Sequence, residues 1–62
     1  MSANMFFVKY HIDEVTAQKF RKAANLYRRY TYGENVYGKL CDILETIDED
    51  LFYTYLGLVT TR

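Results

Sequence analysis

One cysteine and one histidine are all the thiol and imidazole chemistry in this 62-residue chain. With Cys41 alone no disulfide can close within the chain. His11 and Cys41 cannot complete a tetrahedral zinc site without carboxylate help. Long apolar runs are also missing. The longest, "LFYTYLGLV" from Leu51 to Val59, is about half the length that a membrane-spanning helix requires. The opening "MSANMFFVKY" lacks the basic region and the sustained apolar stretch of a signal peptide. A lone cysteine fits a reducing compartment, so the expected location is cytoplasmic, with Met1 starting a complete short reading frame. Repeats, low-complexity segments and linkers are absent, and residues 1–62 read as a single small domain.

What is present argues for a folded chain. Half of the residues are apolar and 18% are aromatic, too many for disorder. Ordering a chain costs roughly 1.5 kcal/mol per residue, and small domains often need a disulfide, a metal or a second subunit to offset it. The first two are not indicated, so self-association is the expected staple. Seven tyrosines are more than so small a core can enclose. Some must lie half-exposed, either roofing the core with their hydroxyls in water or forming an interface, where tyrosine is enriched.

Along the chain, Met5–Ile12 alternates. Phe6, Val8, Tyr10 and Ile12 fall on one face, and Phe7, Lys9 and His11 on the other, as in a half-buried strand. Asp13 is a good N-cap, and Glu14 suits the positive first turn that follows. Phe20, Ala23, Ala24, Tyr27 and Tyr30 or Thr31 then recur at helical spacing, which predicts a helix over Glu14–Tyr30. "TYGE", Thr31–Glu34, has the form of a capping box. Val36, Leu40, Ile43, Leu44 and Ile47 predict a second amphipathic helix, ended by Asp48, Glu49 and Asp50, whose charges oppose its dipole.

Residues 51–60 admit three readings: a strand, a heptad continuing the second helix, or a new helix capped at Asp48 with Gly57 past its end. The strand is preferred, because the N-terminal strand needs a partner for its backbone groups. The expected fold is therefore an α+β domain of order β-α-α-β. An antiparallel helical hairpin packs on a two-stranded sheet that dimerisation completes, since two strands alone are marginal. The alternative is a mostly α-helical hairpin.

Charge is laid out in two blocks. Residues 15–33 carry five cations and no acid, and residues 34–50 carry six acids and one lysine, while the whole chain sums to zero. On a helical wheel Arg21 and Arg28 line one flank of the first helix, Lys22 and Arg29 its back, and Lys19 the other flank. With Tyr30 and Tyr32 these are the candidate partner-binding residues. A phosphate-tracking surface with stacking tyrosines is one reading. Nucleic-acid domains, however, usually carry a net basic charge as well as a basic stripe. The plain alternative is a solvated helix face. A protein partner of matching polarity, or a second copy of the chain, uses the same pattern to set orientation.

His11 beside Asp13 reads as a strand-face histidine with a local hydrogen bond. Cys41, beside the negative Asp42 and Glu45, lacks the positive surroundings of a nucleophile. "DED" lacks the spaced ligands and turn glycine of a calcium loop, and "GENVYG" is not a phosphate loop. No catalytic, metal or cofactor site can be assembled from these residues. The expected function is a small non-enzymatic regulator of the inhibitor or adaptor type that binds another protein, a kind of short chain frequent in phage and plasmid genomes. The alternative is a nucleic-acid-binding regulator using the basic face of the first helix.

Overall fold

The computed structural model describes residues 3–60. Among them are four helices and no strand: α1 (Ala3–Lys9), α2 (Glu14–Thr31), α3 (Tyr37–Leu44) and α4 (Glu49–Thr60). The expected α+β domain is overturned, and with it the two-stranded sheet and the edge pairing that gave a dimer its reason. The helical hairpin is nearer, but has two helices too few. A single-domain reading over 1–62 extends past the described residues at both ends; within them, one core draws on all four helices. No helix among the described residues is long and apolar enough to cross a membrane.

Both expected strands are helices for the same reason. Ala3, Phe6, Phe7 and Tyr10 are spaced i, i+3, i+4, i+7, as are Phe52, Tyr55, Leu56 and Val59. In α1 this spacing buries Phe6 and Phe7 together and sets Tyr10 against Phe6, with ring centroids 4.8 Å apart, while Met5 and Val8 face outward. A strand over Met5–Ile12 puts Phe6 and Phe7 on opposite faces. In α4 the spacing buries Phe52, Tyr55 and Leu56. Strand propensity spans only about 1 kcal/mol, whereas each fully buried large apolar side chain contributes about 1.5–3 kcal/mol. The register that buries more aromatic surface prevails, and a helix also satisfies its own backbone.

The acids of "DED" start α4 rather than end α3. The Asp48 carboxylate accepts the Leu51 N–H at 3.2 Å, and Glu49 and Asp50 occupy the positive first turn. The expected second helix is therefore shorter, stopping at Leu44, and α4 takes the residues expected as a strand, starting at Glu49 with Gly57 inside it rather than past its end.

The longest helix, α2, forms where expected. Asp13 accepts the Thr16 N–H at 3.1 Å. Bonding from the Thr16 side chain, then from its backbone, holds the Asp13 carboxyl below its ordinary value. The buried stripe is Ala17, Phe20, Ala23 and Leu26, rotated toward Leu26 from the expected face, so that Tyr27 is half-buried and Tyr30 exposed.

Two helices end in the same way. After α1, Ile12 N–H reaches the Phe7 carbonyl at 2.9 Å and His11 N–H the Val8 carbonyl at 3.2 Å, with His11 at φ 56°. After α2, Glu34 N–H reaches the Arg29 carbonyl at 3.1 Å and Gly33 N–H the Tyr30 carbonyl at 3.0 Å, with Gly33 at φ 91°. Both are Schellman motifs with a left-handed residue after the cap. Thr31 therefore closes α2, its hydroxyl donating to the Arg28 carbonyl at 2.7 Å, and does not open α3. The expected capping box does not form; Val36 caps α3 without a side-chain bond.

Opposite substitutions follow from these two ends. A β-carbon in the left-handed region costs roughly 1–2 kcal/mol. Nothing lies within 4 Å of a β-carbon placed at Gly33, so the strain there is purely dihedral. Gly33→Ala should lower stability by about 1–2 kcal/mol and His11→Gly should raise it by about 1 kcal/mol. In thermal unfolding each kcal/mol reads as a shift of about 4–8 °C. Shifts of the same sign would contradict this account.

The core is a knot of rings. Phe6 of α1, Phe20 of α2 and Phe52 of α4 are its largest fully buried side chains. Phe20 stands 6.1 Å from Phe6, 6.0 Å from Phe7, 6.3 Å from Phe52 and 5.7 Å from Tyr55, between ring centroids. Val36 and Leu40 close it on the α3 side.

Candidate functional site

The five cations of α2 do not make one surface. Arg21, Asn25 and Arg28 share a stripe, spaced i, i+4, i+7, and border a groove of about 350 Å³ between α2 and α4. Its apolar lining includes Ala24, Leu56 and Val59. Arg21 and Arg28 stand two turns apart, about 10 Å along the helix axis.

Arg21 is held in place. It pairs with Glu14 at 3.3 Å, and its guanidinium carbon lies 5.2 Å from the centroid of Phe7. Phe7 in turn stacks on Tyr55, with centroids 5.3 Å apart and planes at 24°. Arg28 is exposed and forms no ion pair with the described residues. The groove thus presents one fixed and one free guanidinium beside an apolar wall, a lining that suits a carboxylate-bearing apolar group.

The other expected binding residues lie elsewhere. Lys19 is half-buried and Lys22 exposed, and neither lines the groove. Arg29 is engaged with Glu34 at 3.0 Å. Tyr32, the C-cap of α2, is 79% exposed. Tyr30 leaves the basic face and leans on Tyr37, with centroids 5.5 Å apart. That pair belongs to a second cleft, of about 400 Å³, between α2, α3 and α4, in which Tyr27, Tyr53, Glu45 and Glu49 also take part. Tyr27 borders both cavities. The Tyr37 hydroxyl is pushed above its ordinary value, first by hydrogen bonding with Cys41 and then by charge on Cys41 and Tyr30.

Burial raises the Tyr55 hydroxyl above the ordinary 10.0, opposed by the positive charge of Arg21. A raised folded-state value means that folding favours the neutral phenol. The stabilisation is complete below the ordinary value and is lost as pH climbs through the folded one. Denaturant midpoints should therefore fall on passing above pH 10. Tyr55→Phe should flatten that fall; an unchanged alkaline limb in the variant would contradict the assignment.

Asn25, Tyr55, Leu56 and Val59 were not among the expected site residues. Asn25 is legible on the wheel between Arg21 and Arg28. The other three join the groove only because residues 51–60 are helical. Among the described residues, no group of three or more histidine, cysteine or acidic side chains is placed to hold a metal ion. Comparison of the chain with protein-family models, with curated proteins and with solved structures returned no match.

Proposed function

We propose that the protein is a small non-enzymatic regulator, of the inhibitor or adaptor type, that works in the cytoplasm by binding another protein. The partner inserts an acidic side chain with an apolar neighbour into the α2–α4 groove. One observation carries this reading: Arg21 and Arg28 flank an apolar wall, with Arg28 free to pair. Charge of one sign beside apolar surface favours a protein segment over a bare polyanion.

The nucleic-acid reading is weakened by two of the five cations. Arg21 and Arg29 already pair with Glu14 and Glu34. What favours it is that Lys22, Arg28 and Tyr32 are each exposed, although they do not share one face of α2.

The test uses the full chain as bait in extracts of its own host, beside an Arg21→Glu/Arg28→Glu variant with an unchanged circular dichroism spectrum. A partner that binds the native chain should lose about tenfold or more in affinity for the variant. Equal capture by both removes the groove from the mechanism. Binding to generic DNA or RNA that falls steeply with salt, with a slope about two units shallower in Arg21→Ala/Arg28→Ala, would establish the second reading instead.

A further inference from the structure

We propose that the cleft between α2, α3 and α4 binds an organic cation, a guanidinium or alkylammonium group, between tyrosine rings and two glutamates. This site lies apart from Arg21 and Arg28 and does not depend on what the basic groove binds.

The cleft is built by one stripe from each of three helices. Tyr27 and Tyr30 come from α2, and Tyr53 follows Glu49 by one turn in α4. Tyr37, Cys41 and Glu45 run along α3 and its C-cap at intervals of four. Three of the four tyrosines are about half-exposed: Tyr30 at 44%, Tyr37 at 57% and Tyr53 at 51%. Their rings are therefore not used up by the core. Tyr30 and Tyr37 are inclined at 43° to each other, so their faces are not sealed against one another in a flat stack.

Charge selects the ligand. Glu45 and Glu49 both line the cleft, and no lysine or arginine does. Neither glutamate forms an ion pair or a side-chain hydrogen bond with the described residues, whereas Glu14 and Glu34 each hold an arginine. The cleft thus carries two glutamates with no cationic partner among the described residues, and four tyrosines border it. Aromatic rings attract a cation within about 6 Å of the ring centroid through their quadrupole, and tyrosine is among the better ones. Carboxylates beside such rings add Coulomb attraction without demanding the short, fixed geometry of a metal site. A cavity of about 400 Å³ is at the small end for ligand sites, and fits one cationic head group rather than an extended molecule.

An anion is excluded by the two glutamates. An uncharged apolar ligand gains the ring contacts but nothing from the carboxylates, so preference for charge at equal shape is the signature.

The test is nuclear magnetic resonance of the full chain titrated with choline, with the neutral tert-butyl analogue of choline, and with a blocked arginine amide. Choline or the arginine amide should shift the resonances of Tyr30, Tyr37 and Tyr53 saturably, and the choline methyl protons should move upfield under the rings. The neutral analogue should bind more weakly. Glu45→Gln and Tyr37→Leu, both at exposed positions, should each weaken the cation by about threefold to fivefold. A tighter fit for the arginine amide points to a side chain of a partner protein, and a tighter fit for choline to an alkylated amine.

Absence of saturable shifts overturns the proposal. So does equal affinity for the neutral analogue, or unchanged binding in both variants when their other resonances match the native chain. Arg21→Glu/Arg28→Glu should still bind choline saturably and in preference to the neutral analogue, so the two sites succeed or fail separately.

Discussion

Phe20→Ala should leave the chain without a cooperative unfolding transition at room temperature. Phe20 is 1% exposed and is the one ring that touches α1 and α4 from α2. Truncating a buried phenylalanine costs about 3–5 kcal/mol, the transfer of its ring plus the cavity left behind. A chain of 62 residues has a total stability of about 3–9 kcal/mol at ordinary values per residue. The loss consumes most or all of that range. Circular dichroism should show reduced helix content with a broad, sloping melt, and a hydrophobic dye should bind. A sharp transition displaced by only a few degrees would mean that the ring knot does not hold the helices together.

Phe52→Ala is expected to be nearly as damaging, and its neighbour makes the more informative comparison. Phe52 is fully buried and Tyr53 is 51% exposed. Loss of the Phe52 ring should cost about 3–5 kcal/mol, whereas Tyr53→Ala, at a surface position, should stay within about 1 kcal/mol. Leu56→Ala should side with Phe52, and Thr54→Ala with Tyr53. In a strand, residues 52, 54 and 56 share a face and Tyr55 points away from them. In α4, Tyr55 joins Phe52 and Leu56 in the core. With Tyr55→Ala added, which should side with Phe52, five denaturation curves distinguish the helix from a strand at this end of the chain. A severe effect at Thr54 with a mild one at Tyr55 would restore the strand.

How far residues announce their structure differs along this chain. Asp13 and the apolar period of Glu14–Thr31 agree with each other, and α2 is legible to within one residue of its end. The two terminal segments are ambiguous, because their aromatic residues satisfy a two-residue alternation and a helical period together. Only the core decides between them, since Phe6 and Phe7 must be buried side by side. "TYGE" matches one motif in composition, yet the left-handed backbone at Gly33 makes it another. In the candidate sites, the Arg21–Arg28 stripe can be read from spacing on a single helix. The wall opposite it, and the convergence of Tyr37 and Tyr53 on one cleft, depend on the core that packs α4 through its rings and α3 through Val36 and Leu40 against α2. A one-dimensional period does not encode that meeting.

The turns between helices carry a last consequence. Four residues separate α1 from α2, five separate α2 from α3, and four separate α3 from α4. Backbone pairs close over only a few positions, and the chain contains no proline to wait upon. Loop closure of this kind takes about 10–100 ns, and local topologies of helices fold in microseconds to milliseconds. The aromatic interior is therefore exposed to water only briefly after each opening. Rapid closure of this sort protects a chain rich in phenylalanine and tyrosine from sticking to its own copies.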